Sequence, residues 1–140
     1  MLDIVLGLHL ATWHSSQTYE QTHPVTRHGV PTGESIVLRH PYENRNVGLY
    51  VRAGDWVVGG YRNSFHRDTG YAARVFETEN RRWAITVGAA TGYPTARVMP
   101  LVVPSVRIPL GDLAARVSVI PKPPKHAGTM AVHLSIEKEL

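Results

Sequence analysis

Hydrophobic and polar residues alternate along most of this chain. From Leu2 to Trp13, Ile4, Leu6, Leu8 and Leu10 share one parity, while Asp3, Val5, Gly7, His9 and Ala11 share the other. A period of two predicts a strand. A helix would scatter the same leucines around its circumference, so the expectation is a strand half-buried on its leucine side. The rhythm returns at Val47 to Arg52, Trp56 to Asn63, Tyr71 to Thr78 and Trp83 to Ala90. Turn signals at Ala53-Gly54-Asp55, Arg67-Asp68-Thr69-Gly70 and Glu79-Asn80-Arg81 separate these runs, as in an antiparallel meander. In the second run Gly59-Gly60 removes side chains from both faces, which predicts a bulge, a bend or a close backbone approach that sets the curvature.

Beyond the Thr91-Gly92-Tyr93-Pro94 turn, Val98 to Ile108 carries Pro100 and Pro104 and is followed by Pro109. Proline cannot donate to a ladder, so an edge strand, a bulged strand or an extended connection is expected there. Leu113 to Ile120 alternates again, Pro121 to Lys125 reads as a stiff basic loop, and Thr129 to Leu140 has the cleanest alternation, with Val132, Leu134 and Ile136 opposite Ala131, His133, Ser135, Glu137 and Glu139. Between His14 and Asn46, Ser, Thr, Gln, His, Pro and Gly dominate, and Pro24, Pro31 and Pro41 interrupt regular structure; only Ser35 to Arg39 reads as a strand. The fold expected over residues 1–140 is therefore a single all-β domain, an antiparallel meander of about eight strands closed as a barrel or stacked as a sandwich, with a long polar loop region at about 14–46. A loop of that length is usually functional or interface-forming.

Composition narrows the chemistry. The 140 residues contain no Cys, which excludes disulfides, thiolate catalysis and Cys-type zinc sites. The net charge of +4 comes mostly from arginine, whose planar fork suits carboxylates, phosphates and interfaces. These arginines are scattered instead of clustered, so a nucleic-acid footprint is not expected. No apolar run approaches the length of a membrane-spanning helix. Met1 to Leu8 has an acidic residue where a secretion signal carries basic ones, so the chain reads as cytoplasmic unless Met1 replaces a removed leader.

Eight histidines are present, but no spacing pre-forms a metal site, and solvated loop histidines are the expectation. Asn63 to Asp68 places Ser64, His66 and Asp68 in one turn; neighbours in a turn rarely converge as a triad, and a turn-forming role is preferred. Glu77, Glu79, Glu137 and Glu139 are expected to pair across strands with arginines such as Arg74, Arg82 or Arg116. Tyr50, Trp56, Tyr61, Tyr71, Phe76, Trp83 and Tyr93 recur near strand ends, where a membrane barrel would carry aromatic girdles and a soluble one core and rim packing. The residues expected to contact a partner are Arg62, Asn63, His66, Arg67, Arg74 and Arg116; no catalytic residue, metal ligand or cofactor is assigned.

At Gly48-Leu49-Tyr50, Gly60-Tyr61-Arg62-Asn63-Ser64, Thr91-Gly92-Tyr93, Leu101-Val102-Val103-Pro104-Ser105 and His133-Leu134-Ser135-Ile136-Glu137, the chain resembles small uncharacterised β-rich proteins encoded by tailed phages and prophages. The resemblance covers most of Asn46 to Leu140 and implies a phage origin without an activity. With it, the leading expectation is a phage-encoded structural or interaction protein without enzymatic activity. It would be a small virion component, a capsid or tail accessory, that binds copies of itself or other virion proteins and resides in the virion or host cytoplasm. The alternatives are an eight-stranded barrel of the outer-membrane type, for which Leu140 stands where an aromatic terminus is expected, and a small barrel enzyme acting on a small or lipid-like substrate through Ser64, His66 and Asp68 or the glutamates.

Overall fold

The computed structural model describes residues 2–16, 18–93, 96–121 and 130–140. They form ten strands: β1 Ile4–His14, β2 Thr18–Arg27, β3 Val30–Pro41, β4 Arg45–Ala53, β5 Trp56–Arg62, β6 Asp68–Glu77, β7 Trp83–Tyr93, β8 Ala96–Leu110, β9 Leu113–Ile120 and β10 Ala131–Glu139. Eight of them close an antiparallel barrel in the order β1-β10-β9-β8-β7-β6-β5-β4, and β2 pairs with β3 in a separate two-stranded sheet. The barrel option is the one realised. The basic loop expected at Pro121 to Lys125 lies, after Pro121, outside the described residues, as does Pro94 of the Tyr93-Pro94 turn.

Three expectations are corrected or narrowed. The stretch at about 14–46 is not one long loop; β2 and β3 form a hairpin, turned by His28 and Gly29 in the left-handed region at φ 53° and 79°. Its faces are largely exposed, so the sheet needs few apolar side chains, and its polar composition hid it. Of the options at Gly59-Gly60 the close backbone approach is the one realised: a Cβ on Gly59 would stand 2.8 Å from the Leu49 carbonyl oxygen, and there is no bulge, because the register runs unbroken through Gly59↔Tyr50 and Gly59↔Tyr71. A Cβ on Gly59 would press on Tyr50 and the Tyr71 ring, so this glycine makes room for aromatic rings inside the barrel. The proline-bearing run is the full-length barrel strand β8, paired with β7 from Tyr93↔Ala96 to Trp83↔Val106.

The fourth correction changes the meaning of the fold. Strand β1 does not bury its leucine side. Val5, Gly7 and His9 point into the barrel, and Ile4, Leu6 and Leu8 are exposed on its outside. The same inversion holds in β10, where Val132 is exposed while His133, Ser135 and Glu137 are buried. Leu49 and Val51 on β4, Ile85 and Val87 on β7, and Val98 and Val102 on β8 are likewise exposed. Among the described residues, the charged side chains that face outward from barrel strands lie toward strand ends: Arg45, Arg62, Asp68, Arg74 and Lys138. The middle of the outer wall is apolar, and the interior holds the charges.

The two ends of the barrel differ. At one end the connections are short: Gly54-Asp55 between β4 and β5, residues 78–82 between β6 and β7, and Gly111-Asp112 between β8 and β9. The β2–β3 hairpin and the Asn63-to-Arg67 connection stand at the other. All three tryptophans are exposed, and all lie at strand ends: Trp13 beside the last residue of β1, Trp56 opening β5 and Trp83 opening β7. Phe76 and Trp56 form a short aromatic edge with Arg74, whose guanidinium stands 5.4 and 5.5 Å from their ring centroids.

Candidate functional site

The interior is built in two storeys. The lower one, toward the short turns, is an ion-pair network. Arg116 on β9 grips Glu137 on β10 with a two-pronged contact, Nε to Oε1 at 2.5 Å and Nη2 to Oε2 at 3.1 Å. Its Nη2 also reaches Glu77 Oε1 at 2.8 Å, and its Nη1 donates to Ser105 Oγ at 3.0 Å. Across the barrel Arg52 on β4 takes the same Glu77 carboxylate through two nitrogens at 2.7 and 2.9 Å. Arg81 and Arg107 extend the network outward to Glu77, Glu137 and Glu139 at 3.0–3.4 Å. The Tyr50 hydroxyl donates to Glu137 Oε1 at 2.6 Å. Forked arginine–carboxylate contacts are the geometry in which buried charges satisfy one another, and this one spans strands β4, β6, β9 and β10. It fills the lower cross-section with side chains.

Above it the interior is neutral and aromatic. A chain of hydrogen bonds runs from Thr12 Oγ1 to His133 Nδ1 at 2.8 Å, from His133 Nε2 to His9 Nδ1 at 2.8 Å, and from His9 Nε2 to the Tyr71 hydroxyl at 2.9 Å. Neutral imidazoles carry one N–H each, so the chain is satisfied when every group donates in either common direction. The β1 bulge between His9 and Ala11 sets both His9 and Thr12 inward. A cavity of about 160 Å³ surrounds this chain, with walls from Tyr50, Tyr61, Tyr71, Tyr93 and Leu101 among others. Its upper end is framed by Tyr19, Tyr42, Phe65 and Tyr93, whose rings meet at 4.7–6.1 Å. Among the described residues Asn46 Oδ1, buried on the cavity wall, has no hydrogen-bond partner.

Replacing His133 by leucine leaves Thr12 and one nitrogen of His9 unpaired among rings. The expected loss of stability is about 1–3 kcal/mol, read as a shift of the urea midpoint; an unchanged midpoint would show that the chain is replaceable by apolar packing.

The six residues expected to form a contact site are not brought together. Arg62 is exposed and pairs with Asp68 at 3.2 Å. Asn63 is buried at 1% exposure, where its side chain binds Thr69 Oγ1 and the Gly92 carbonyl and caps the turn at the Phe65 and Arg67 amides. His66 bonds the Pro41 carbonyl and lies 3.7 Å from Glu43, tying the hairpin base to the barrel mouth. Arg67 is exposed on that turn. Arg74 sits outside, near the opposite end, on Asp55 at 3.2 Å. Only Arg116 lies in the interior. Of the ion pairs expected for the glutamates, Arg116 with Glu77 and Glu137 is present, whereas Arg74 takes Asp55. Ser64, His66 and Asp68 make no hydrogen bonds with one another among the described contacts, and Asp68 is turned to Arg62.

His9 and His133 escaped the sequence reading because their parity was taken for the solvent face, and Thr12 turns inward only through the bulge in β1. The signal was present: on β1, β4, β7 and β10 one face is bulky and free of charge through its middle, while the interior parity carries single His, Tyr, Arg or Glu residues among Gly, Ala and Ser. Among the described residues, no cluster of three or more His, Asp or Glu side chains has the geometry to hold a metal ion. Comparison with protein-family models, with curated proteins and with solved structures finds no match to this chain.

Proposed function

We propose that this chain is a membrane-embedded eight-stranded β-barrel, closed to ion flow, that displays the β2–β3 hairpin and the aromatic-framed mouth on one side of the bilayer. The observation that carries the reading is the inversion of the walls. An outer surface that is apolar through its middle, with tryptophans at strand ends and a polar, charge-paired interior, is what a lipid-spanning barrel requires, and a water-soluble barrel has the reverse. Strands β1, β4, β6, β7 and β10, at 9–11 residues, have the length of tilted strands crossing a hydrocarbon layer, and β5 and β9 are shorter at 7 and 8. Closure satisfies the backbone in lipid, where an open edge would be costly. The arginine–glutamate network fills the lower storey, so the barrel serves as an anchored display and binding body instead of a channel.

The chain is expected to refold from urea into detergent micelles or phosphatidylcholine vesicles with the circular dichroism of a β protein, and to aggregate when diluted into detergent-free buffer. A monodisperse, folded monomer in buffer alone would sink the reading.

A second reading, a virion component packed against other subunits, draws support from the β2–β3 sheet. Both its edges lack a partner strand within the described chain, and open edges accept strands from other proteins. On that reading protein, not lipid, covers the apolar belt, and the chain co-sediments with particles after a detergent wash.

A further inference from the structure

The upper cavity is walled by rings that do not fill it. Tyr61 on β5, Tyr71 on β6 and Tyr93 at the end of β7 line it and are only partly buried, and Leu101 joins them from β8. The space of about 160 Å³ starts above the arginine–glutamate floor and reaches the mouth at Tyr42 and Phe65. An apolar cavity of about 150 Å³ takes up a benzene ring, so this one has the size of a single six-membered ring. The rings already in the wall stand at the tilted and edge-on spacings that aromatic groups prefer, with His9 and Tyr61 at 5.1 Å and Tyr61 and Tyr71 at 5.9 Å between centroids.

Charge and hydrogen bonding select among rings of that size. Arg52 and Arg116, the two arginines in the cavity wall, are engaged by Glu77 and Glu137. Burial keeps both histidines neutral, taking His9 down to about 3 with added repulsion from His133, and His133 down to about 4. Among the described residues the wall therefore offers no counter-ion to a charged guest. It does offer the Tyr71 hydroxyl, which ends the Thr12-His133-His9-Tyr71 chain and, among the described residues, bonds only to His9 Nε2. When the chain donates toward Tyr71, the Tyr71 O–H is left to give; when it donates toward Thr12, a Tyr71 lone pair is left to accept. A guest hydroxyl fits either state without breaking the chain.

We propose that the upper cavity binds a small uncharged phenol, one ring with one hydroxyl, which enters by the mouth, packs among Tyr61, Tyr71 and Tyr93 and hydrogen-bonds to the Tyr71 hydroxyl. Apolar and aromatic walls with a few placed polar groups are what sites for such ligands look like. The site needs the closed barrel and its sealed floor, whichever medium surrounds the outer wall, so it goes beyond the membrane reading and is tested separately from it.

The test uses the full-length protein, isotopically labelled at its methionine methyl groups, in the micelles or buffer in which it folds, titrated with phenol, toluene and benzoate and followed by NMR. Met99 lines the cavity at 7% exposure, whereas Met130 is 54% exposed; a Met99→Leu sample assigns the cavity signal. Phenol and toluene are expected to shift the Met99 methyl to saturation and leave Met130 in place, and benzoate to shift neither. Tyr71→Phe is expected to weaken phenol binding about fivefold, the worth of one hydrogen bond, and to leave toluene binding unchanged. No saturable Met99 shift with phenol overturns the site, as does a shift that climbs without limit at Met99 and Met130 alike, which is partition into the surroundings. Benzoate binding as tightly as phenol overturns the uncharged class. Phenol affinity undiminished in the Tyr71→Phe protein, shown folded by its toluene shift, overturns the Tyr71 contact. The wild-type titrations decide the site whether or not that variant folds.

Discussion

Replacing Arg116 with methionine is expected to destabilise the barrel by about 3–5 kcal/mol, the cost of breaking a buried ion pair by removing one partner. Arg116 touches Glu137 twice, Glu77 once and Ser105 once. After its removal Glu77 keeps the two-pronged contact with Arg52. Among the described residues Glu137 then keeps only the Tyr50 hydroxyl at 2.6 Å and Arg107 at 3.4 Å. Its side chain is 3% exposed, so water cannot take over solvation. Lysine at 116 keeps the charge and loses the fork, so a smaller loss is expected. The double variant Arg116→Met with Glu137→Leu removes both charges and should recover much of the stability, because an apolar pair of similar volume is often neutral. Urea unfolding of all three in one detergent gives the coupling. A loss below about 1 kcal/mol for methionine, the scale of an exposed pair, would mean that the network is solvated and that the lower storey is not sealed.

The strands were legible because alternation is a backbone property. Leu113–Ile120 is β9 to the residue, and the expected strand opening at Trp83 is β7, which runs on to Tyr93. Which face turns inward was not, because a period of two is unchanged when a sheet is turned inside out, and only the surrounding medium decides. The deciding clue was quantitative. Charges on the bulky parity, such as Arg62, Arg74 and Lys138, fall toward strand ends, while Arg52, Arg116 and Glu137 sit among small residues on the other parity. The hairpin was hidden for a different reason: Pro24, Pro31 and Pro41 read as breaks, yet a two-stranded sheet has open edges on which missing donors cost little, and the ladder shifts register just after Pro24. The pairing of His9 with His133 spans 124 positions and arises only when β1 meets β10 at closure. No local pattern encodes it.

The wall inversion makes its largest demand at Leu49. This residue is fifth of nine in β4, faces outward at 59% exposure, and has Leu8 and Gly60 as its register neighbours on either side, so no nearby charge complicates the result. If the belt lies in lipid, Leu49→Arg places a guanidinium near the middle of the hydrocarbon, at an expected cost of about 2–4 kcal/mol. Leu110→Arg, at the β8–β9 turn, should cost about 0–1 kcal/mol, because arginine near the interface reaches the headgroups. On a water-facing wall both substitutions would fall within about 0.5 kcal/mol of zero; on a protein-covered wall both would be disruptive only when the partner is present. Equilibrium unfolding in vesicles of the two single variants therefore separates the three media by the gradient along the barrel axis. A cost at Leu49 no greater than that at Leu110 would place the belt outside the bilayer.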